Sequence, residues 1–286
     1  MKKLFFILSI LGHSISFSQD SQTDYSLVNE QSTCMEYLLP LFTIHGVPKN
    51  QNEDDTLSIL INHGYCVGYS TKYNQPRWVA YQVSKAKQDV DYSRFPFFVD
   101  DTRLNPENRI GSETFGGGYD LGHLAPNAAI NRQYSKLSQM ETFLMSNISP
   151  QTADLNRGVW QKLEAKIYTD YISEKEHLWV IIGPVFSENP EYITRKNKTK
   201  VAIPEAFYCI LIRPRVYPYD SPGNSDYLTF LFPQQIDRKQ PIDVQFLTNI
   251  NEIECKTKLN FFPNLTKTME KKIEEKIATE LWEISE

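Results

Sequence analysis

The first half of the chain alternates short apolar runs with turn residues. Runs rich in β-branched and aromatic side chains occupy Leu57 to Ile61, Tyr65 to Ser70 and Arg77 to Val83. Asn62-His63-Gly64 and Asn74-Gln75-Pro76 separate these runs, and both triplets have the composition of turns. The pattern predicts successive antiparallel strands. Further on, glycines at 116 to 118 predict a long irregular connection that runs into Tyr119 to His123.

The second half contains longer apolar runs and two helical periods. Continuous apolar segments predict buried strands at Leu178 to Val185, Ala206 to Ile212 and Tyr227 to Phe232. A short helix or turn followed by a strand is expected over Asn131 to Met145. Strands in both halves, with helices between them, predict an α+β fold in which mostly antiparallel β-sheet layers are flanked by helices.

Apolar residues recur every four positions in two segments. One predicted helix runs from Thr152 to about Ile172, with a stripe formed by Leu155, Val159, Leu163 and Ile167. The other runs from Asn264 to Ile284 and is amphipathic. Asn249 and Glu252 have the spacing of a capping box that opens a further helix.

The N-terminus has the layout of a secretory signal. Lys2 and Lys3 precede an apolar run from Leu4 to Leu11, and Ser16-Phe17-Ser18 offers a small-x-small cleavage site. A membrane anchor would need about 20 apolar residues, roughly twice this run. We therefore expect a signal peptide at 1–18, a flexible lead-in at 19–30 and one domain at 31–286, with no membrane span in the mature chain and a secreted or periplasmic location.

Charge and cysteine content add two constraints. The net charge is −5, which is not the basic footprint of a protein that holds nucleic acid tightly, although a local cationic groove can coexist with an acidic total. An exported chain meets an oxidising environment, so disulfides among its four cysteines are possible in three pairings; small buried thiols are the alternative. The cysteines are Cys34, Cys66, Cys209 and Cys255.

One histidine has the setting of a general base. Four of the five lie beyond the predicted signal, at His45, His63, His123 and His177. His123 follows the glycine-rich connection and Asp120, and it precedes an apolar Leu-Ala-Pro turn that could hold its ring. The other three have surroundings that suggest solvated or packing roles.

Two residues of the first predicted helix could hold a metal ion. Asn156 and Glu164 lie eight residues apart, which on a regular helix is about 80° of rotation and about 12 Å of rise. Mg²⁺ takes oxygen ligands and keeps several waters, so one amide oxygen and substrate phosphates could suffice. The alternative is a helix cap at Asn156 and a solvated carboxylate at Glu164, and spacing alone does not decide between them.

Several ordered blocks together resemble one known family. The central blocks are Tyr119-Asp120-Leu121-Gly122-His123-Leu124-Ala125-Pro126, Ser146-Asn147-Ile148-Ser149-Pro150-Gln151, Leu155-Asn156-Arg157-Gly158-Val159-Trp160 and Leu163-Glu164. Supporting blocks begin at Gly64, Trp78, Gly183 and Leu259. Their order and spacing are similar to those of the DNA/RNA non-specific endonucleases, which are ββα-metal nucleases of the endonuclease G type.

The resemblance implies a ββα-metal catalytic core with assigned roles. His123 would activate a water for attack on a phosphodiester, with Asn156 as the ligand of Mg²⁺, Mn²⁺ or another divalent cation. Glu164 would bind the water shell of that cation, and Asn147 would orient the catalytic region. The implied substrates are DNA and RNA, gripped by their backbones and therefore cut with little sequence preference. A homodimer and an inhibitor protein are left open as partners.

The chain departs from the family pattern at Leu121, where the family carries arginine. Leucine supplies no cation to a phosphate. Either a neighbouring cation compensates, at Arg94, Arg103, Arg132 or Arg157, or the activity is reduced or retargeted. Of these arginines, Arg94, Arg103 and Arg157, together with Asp120, are the candidate substrate-binding residues. Two alternatives stay open: a catalytically weakened extracellular module that only binds nucleic acid, and an exported phosphodiesterase for smaller substrates.

Overall fold

The computed structural model describes residues 30–85, 91–115, 118–172, 177–194, 199–216 and 221–282. The predicted signal peptide at 1–18 and the lead-in up to residue 29 lie outside the described residues. Within the described ranges, no helix combines the length and apolar character needed to cross a bilayer.

An antiparallel six-stranded sheet forms the centre of the fold. The strands of the described residues are β1 (Lys49–Asn50), β2 (Leu57–Ile61), β3 (Cys66–Ser70), β4 (Gln75–Ser84), β5 (Tyr119–His123), β6 (Ile148–Thr152), β7 (His177–Val185), β8 (Tyr192–Thr194), β9 (Lys200–Ala202), β10 (Ala206–Arg213), β11 (Asp226–Pro233) and β12 (Leu259–Asn260). The sheet has the order β11-β10-β7-β4-β3-β2. The six strands predicted from apolar runs are its six members, so that prediction is confirmed.

Helices cover both faces of this sheet. Their bounds are α1 (Leu39–Phe42), α2 (Asn127–Gln133), α3 (Lys136–Glu141), α4 (Ala153–Leu155), α5 (Gln161–Thr169), α6 (Ile250–Thr257) and α7 (Lys267–Glu274). Short 3₁₀ segments lie at Glu30–Leu38, Pro106–Asn108, Ser112–Phe115, Met145–Asn147, Pro222–Asn224 and Val244–Phe246. Because α1, α6 and α7 pack on one face while α2, α4 and α5 pack on the other, the α+β expectation is confirmed.

Strand β4 shows how the sequence builds two cores. Val79, Tyr81 and Val83 point into the layer that contains α4 and α5, whereas Trp78 and Ala80 point into the opposite layer. Both sets are buried, because a strand enclosed on both faces sends successive side chains to opposite sides. The apolar stripe predicted for the helix from Thr152 to about Ile172 is also buried, at Leu155, Val159, Leu163 and Ile167.

Two predicted segments differ from the structure. Asn131 to Met145 contains the end of α2, all of α3 and a 3₁₀ turn, and the strand comes only afterwards as β6. The C-terminal helix predicted to reach Ile284 ends at Glu274. Beyond it, Ala278, Leu281 and Trp282 pack on the core that contains α4 and α5. Tertiary packing therefore overrides the local helical period. The predicted helix start at Asn249 is confirmed, since Asn249 Oδ1 accepts from the Glu252 amide at 2.7 Å, but the Glu252 carboxylate accepts from the Thr248 hydroxyl and so does not complete a capping box.

The disulfides considered from the sequence do not form: all four cysteines are free thiols. Cys66 and Cys209 are buried on opposite faces of the sheet, so the backbone layer separates them. Cys34 and Cys255 are exposed. The alternative interpretation of small buried residues therefore holds for Cys66 and Cys209.

Candidate active site

Strands β5 and β6 and the helix that follows form one continuous ββα unit. The two strands pair antiparallel, with His123 opposite Ile148 and Asp120 opposite Gln151. Strand β6 ends at Thr152, whose hydroxyl accepts from the Leu155 amide at 3.3 Å and so caps α4. The irregular connection predicted from the sequence runs into residues 119–123, which form β5 by pairing with residues 148–152.

The helix is kinked between α4 and α5, across a π-type turn at Asn156–Trp160 that is interrupted at Gly158. Gly158 lies inside this turn with φ −112° and ψ −115°, and a Cβ there would lie 2.8 Å from the carbonyl oxygen of Arg238. Glycine is therefore required by the close approach of a neighbouring backbone segment. The regular-helix geometry predicted for Asn156 and Glu164 does not apply, since a π turn changes the rotation between them; such turns occur often at functional sites.

Asp120 joins the strand to the helix. Its Oδ2 accepts from Asn156 Nδ2 at 2.9 Å, and its two oxygens accept from Nη2 and Nε of Arg157 at 2.6 and 2.7 Å. The hydrogen bonds from Arg157, more than that from Asn156, hold the pKa of Asp120 below its usual value, and the charge of Arg238 acts in the same direction. Among the described residues nothing donates to Oδ1 of Asn156, so that oxygen is available to a ligand.

His123 sits in an aromatic setting. Its ring centroid lies 5.4 Å from that of Phe98 and 5.2 Å from that of Phe143, and its Nε2 is buried without a hydrogen-bond partner. Burial, and after it the charge of Arg94, lowers the pKa of His123 to about 3. The imidazole is therefore neutral near pH 7, which is the form that can accept a proton.

Asn147 fixes the turn that follows His123. Its Oδ1 accepts from the Ala125 amide at 2.8 Å, while its Nδ2 donates to the carbonyls of Ala125 and Thr142 at 3.0 and 2.9 Å. Its backbone carbonyl accepts from the Leu124 amide at 3.0 Å. The side chain is fully buried. Asn147 thus positions the strand end that carries His123.

Glu164 is half-buried on α5. Burial raises the pKa of its carboxyl to about 8, against an opposing effect of the Trp160 indole N–H. That N–H makes no hydrogen bond of ordinary geometry, and the hydroxyls of Tyr81 and Tyr171 are likewise buried without partners among the described residues. Burial therefore favours the protonated form of this carboxyl in the metal-free protein.

The four arginines proposed from the sequence have different surroundings. Arg94 lies with Cζ 4.9 Å from the Phe143 ring centroid, beside His123. Arg103 donates to Asp101, to the Ile61 carbonyl and to Asn62 Oδ1, and its side chain is 15% exposed. Arg132 lies 4.9 Å from the Tyr168 ring, and Arg157 is bound to Asp120. Arg94 is the cation that the fold brings to His123.

Leu121 lies in an apolar environment. Like Phe98, it packs against a buried cluster that includes Ile110, Phe115 and Ile148. Strand β5 therefore presents an apolar side chain at the position where the family pattern has arginine.

The donor set suits a hard, largely hydrated cation. Within the described ranges, no group of three or more His, Cys, Asp or Glu side chains could hold a metal ion. Asn156 instead offers a single amide oxygen whose orientation Asp120 fixes. Mg²⁺ is commonly held by one or two protein oxygens, with waters and substrate phosphates in its other positions.

Sequence reasoning missed three residues of the site. Phe98 and Phe143 enclose the His123 ring, and Arg238 contributes positive charge near Asp120. The run Arg94-Phe95-Pro96-Phe97-Phe98 was a usable signal, because exposed loops seldom concentrate aromatic residues. No local signal marks Arg238, which reaches the site only through the fold.

Comparison with known proteins places the chain among nucleases. The sequence profile of DNA/RNA non-specific endonucleases matches residues 46–268. Mitochondrial nuclease EXOG of Mus musculus is 28% identical over 71% of this chain and 56% of its own length. Mitochondrial endonuclease G of Homo sapiens is 28% identical over 70% of this chain and 68% of its own.

A solved structure shares the fold. One chain of the crystal structure of the EndoG/EndoGI complex superposes with a TM-score of 0.63 at 22% identity, over 80% of this chain and 93% of that one. The match to EXOG spans just over half of that relative's length.

Proposed function

The chain belongs to the family of DNA/RNA non-specific endonucleases, and from this we propose that it hydrolyses phosphodiester bonds in DNA and RNA with little sequence preference. One observation carries the proposal: a single ββα unit holds both a neutral His123 and an Asn156 amide oriented by Asp120. A general base and an oxygen ligand at one site are what metal-assisted phosphodiester hydrolysis requires.

His123 is the proposed general base. Its Nε2 is buried against aromatic rings, which leaves Nδ1 as the nitrogen that can face a substrate water. Nδ1 takes a proton from that water while the water oxygen forms a bond to phosphorus. The bond from phosphorus to the leaving oxygen breaks in line, and the leaving oxygen is protonated from solvent. Asn147 keeps the ring in place through the turn at Ala125.

The family implies a divalent cation, and we propose Mg²⁺ held by Oδ1 of Asn156. Such a cation, when bound, withdraws negative charge from phosphate oxygens and from the leaving group. Glu164 would accept hydrogen bonds from its water shell once the carboxyl has lost its proton. Asp120 acts through Asn156 and Arg157 and so supports the ligand without being one.

Backbone recognition would come from the arginines around the unit. Arg94, which lies beside His123, is the arginine we propose to meet a phosphate. Arg157 is 56% exposed and is the second candidate, although two of its donors are directed to Asp120. Arg103 has its donors directed to Asp101, Ile61 and Asn62, which favours a structural role for that residue. Phosphate contacts carry no direct sequence information, and this supports low sequence preference.

Export and domain organisation are also proposals. We propose cleavage after residue 18, a single catalytic domain over 31–286 and a secreted or periplasmic mature protein. N-terminal sequencing of protein recovered outside the cytoplasm tests the cleavage. A mature chain that begins at Met1 contradicts it.

Two partners follow from the solved relative and from the sequence. EndoG was solved in complex with EndoGI in a study of its inhibition, and we propose that an inhibitor protein could cover the ββα unit here too. A homodimer is the other proposed assembly. Sedimentation analysis of the purified protein, alone and with candidate inhibitors, tests both.

An alternative function is favoured by Leu121 and by the net charge of −5. In that case the chain would bind nucleic acid outside the cell without cutting it. Binding without cleavage across Mg²⁺, Mn²⁺, Ca²⁺ and Co²⁺ would support this alternative, and cleavage with any of these cations would exclude it.

The decisive assay compares plasmid DNA and RNA as substrates for the purified protein. We expect degradation of both with Mg²⁺, none with EDTA, and a loss of several orders of magnitude in His123→Ala. His63→Ala is the matched control, because His63 pairs with Glu141 on the surface. Full activity of His123→Ala overturns the assignment. Cleavage of dinucleotides with no attack on polymers points to a phosphodiesterase for small substrates instead.

A further inference from the structure

A loop that follows β11 lies against the kink between α4 and α5. We call residues 234–240 the kink loop. The side chain of Gln234 accepts from the Thr152 amide at 3.1 Å and donates to the Pro150 carbonyl at 2.8 Å. The Thr152 hydroxyl in turn donates to the Gln234 carbonyl at 2.7 Å. The start of the kink loop is therefore fixed to the joint between β6 and α4.

The rest of the kink loop is fixed to the same unit. Lys162 Nζ on α5 donates to the Gln240 carbonyl at 3.0 Å, and Ile236 packs on the core that contains α4 and α5. The backbone of Arg238 lies so close to Gly158 that a Cβ on this glycine would be 3.1 Å from the Arg238 Cα. The fold thus holds residue 238 through contacts of its backbone.

The side chain of Arg238 is an exposed cation near the proposed metal ligand. The pKa of Asp120 is lowered first by the hydrogen bonds from Arg157 and also by the charge of Arg238. Both oxygens of Asp120 already accept hydrogen bonds, from Arg157 and from Asn156. Within the part of the chain that the structure describes, Arg238 forms no ion pair and its side chain makes no hydrogen bond. Its donors are therefore available to a ligand.

Two cations flank the strand that carries the proposed general base. Arg94 lies beside His123, and Arg238 lies near Asp120. His123 and Asp120 are three positions apart on β5, which is about 10 Å along a strand. Successive phosphates of one nucleic-acid strand advance by about 3.4 Å, so the two cations would meet different phosphates of one backbone.

We propose that Arg238 binds a phosphate next to the scissile one, on the side of the site where Asn156 lies. This rests on the proposed function, since it assumes that the substrate is a polynucleotide. A guanidinium can offer two parallel N–H donors to phosphate oxygens. Because the chain has a net charge of −5, its affinity for an anionic polymer must come from local cations such as this one.

The competing role for Arg238 is that of a second counter-charge for Asp120. In that role it would act through the contact between Asp120 and Asn156, so its loss would change the Mg²⁺ requirement and leave metal-free DNA binding unaltered. A phosphate contact predicts that metal-free binding changes, and that its dependence on salt changes with it.

The test measures the salt dependence of DNA binding in EDTA, which prevents cleavage. Fluorescence anisotropy gives the affinity of a short DNA duplex from about 50 to about 200 mM salt, for the full-length protein and for Arg238→Gln, Arg238→Lys and Lys271→Gln. Arg238→Gln should reduce the slope of log K against log salt by about 1. Its affinity at low salt should fall up to about fivefold, as expected of one exposed ion pair.

The other variants make the result specific. Lys271 is the matched control, because it is a 73% exposed cation on α7, which packs on the opposite face of the sheet. Lys271→Gln removes the same charge and should leave the slope unchanged. Arg238→Lys should keep most of the slope, since an ammonium still meets a phosphate as a point charge. The Tm of each variant should match that of wild type, because the kink loop is held through its backbone and through other side chains.

An unchanged slope in Arg238→Gln overturns the proposal, as do an equal fall in Lys271→Gln and the absence of DNA binding by wild type. A changed Mg²⁺ requirement with an unchanged slope assigns Arg238 to Asp120 instead. Absence of cleavage by wild type with every cation would overturn the proposed function, whereas a slope reduced only in Arg238→Gln would still support the phosphate contact.

Discussion

Asn156 donates from Nδ2 to Oδ2 of Asp120 across 2.9 Å, and this contact decides which end of the Asn156 amide is left free. The low pKa of Asp120, caused chiefly by its hydrogen bonds with Arg157, keeps the carboxylate ionised and able only to accept. It therefore holds the NH₂ end of the amide, and the oxygen end is left free for the proposed cation. Asp120 on β5 thus determines which atom of Asn156 faces the proposed cation site.

Asp120→Asn should weaken metal binding. An amide at position 120 no longer dictates the orientation of Asn156, and it also breaks the ion pair with Arg157. We expect a Mg²⁺ requirement about 10- to 100-fold higher, with activity partly recovered at saturating Mg²⁺. Asp154→Asn, an exposed residue at the start of the same helix, makes the same charge change and should leave the titration unaltered. Identical Mg²⁺ titrations for wild type and Asp120→Asn contradict the prediction.

Arg94→Gln should move the acid limb of the pH–rate profile. The pKa of His123 is lowered to about 3, first by burial and then by the charge of Arg94. Removing that charge raises the pKa, so protonation of His123 begins at higher pH and kcat/KM falls earlier on acidification. Arg132→Gln, whose arginine lies over Tyr168, is the control. If the acid limb of Arg94→Gln coincides with that of wild type, the charge of Arg94 does not lower the pKa of His123.

Glu164→Gln should stabilise the metal-free protein while abolishing activity. The folded-state pKa of Glu164 is raised from 4.5 to about 8 by burial. Between those values the folded state keeps a proton that the unfolded state has released, so the free energy of unfolding falls as pH rises. Glutamine removes this dependence.

The measurement is Tm in EDTA from pH 5 to pH 8. The free energy of unfolding derived from these transitions should be larger for Glu164→Gln than for wild type. The difference should grow with pH and exceed about 1 kcal/mol at pH 8. Glu107→Gln, at an exposed position, should show no such trend. A constant difference across the range would mean that the Glu164 carboxyl is solvated.

The sheet was predictable because its strands carry their own signal. The run from Leu178 to Val185 is apolar without interruption, as a strand covered on both faces must be. His123 and Asn156 were identified because several sequence blocks occur in the order and spacing of the family. A single short motif would have been ambiguous. Their roles remain predictions.

Other features depend on contacts between distant parts of the chain. The kinked π turn at Asn156–Trp160 brings Gly158 against the backbone of Arg238, which lies about 80 residues further along the chain, so nothing near Gly158 in sequence predicts it. Residues 119–123 form a strand only because residues 148–152 pair with them. The C-terminal helix was overpredicted because Trp282 packs on Arg213 and Tyr171.

Leu121→Arg should destabilise the protein without raising its activity. Leu121 packs against the buried cluster that contains Ile110, Phe115 and Ile148, so arginine must leave this cluster or bury its charge. We expect a loss of about 1–3 kcal/mol in stability and no gain in kcat/KM, since Arg94 already supplies the cation near His123. Leu121→Met conserves volume and is the control. A large gain in kcat/KM would show that the missing arginine limits catalysis.

Gly158→Ala should disrupt the π turn. The added Cβ would meet the Arg238 carbonyl oxygen at 2.8 Å, and backbone cannot move aside as a side chain can. A destabilisation of about 1–3 kcal/mol and a fall in activity are expected from denaturant unfolding and the nuclease assay. At Gly223 the nearest atom is the flexible Met269 Sδ at 3.3 Å, so Gly223→Ala should be close to neutral.

Strand β6 ends at Thr152 and α4 begins at Ala153, so the joint between them contains no spare residue. A substitution there alters one side chain, but a single insertion turns the start of the helix by about 100°. Asn156 would then face away from Asp120. The joint therefore constrains the number of residues more strictly than their amino-acid types. Alignments of related chains should be free of gaps from residue 148 to residue 156 even where the amino acids differ.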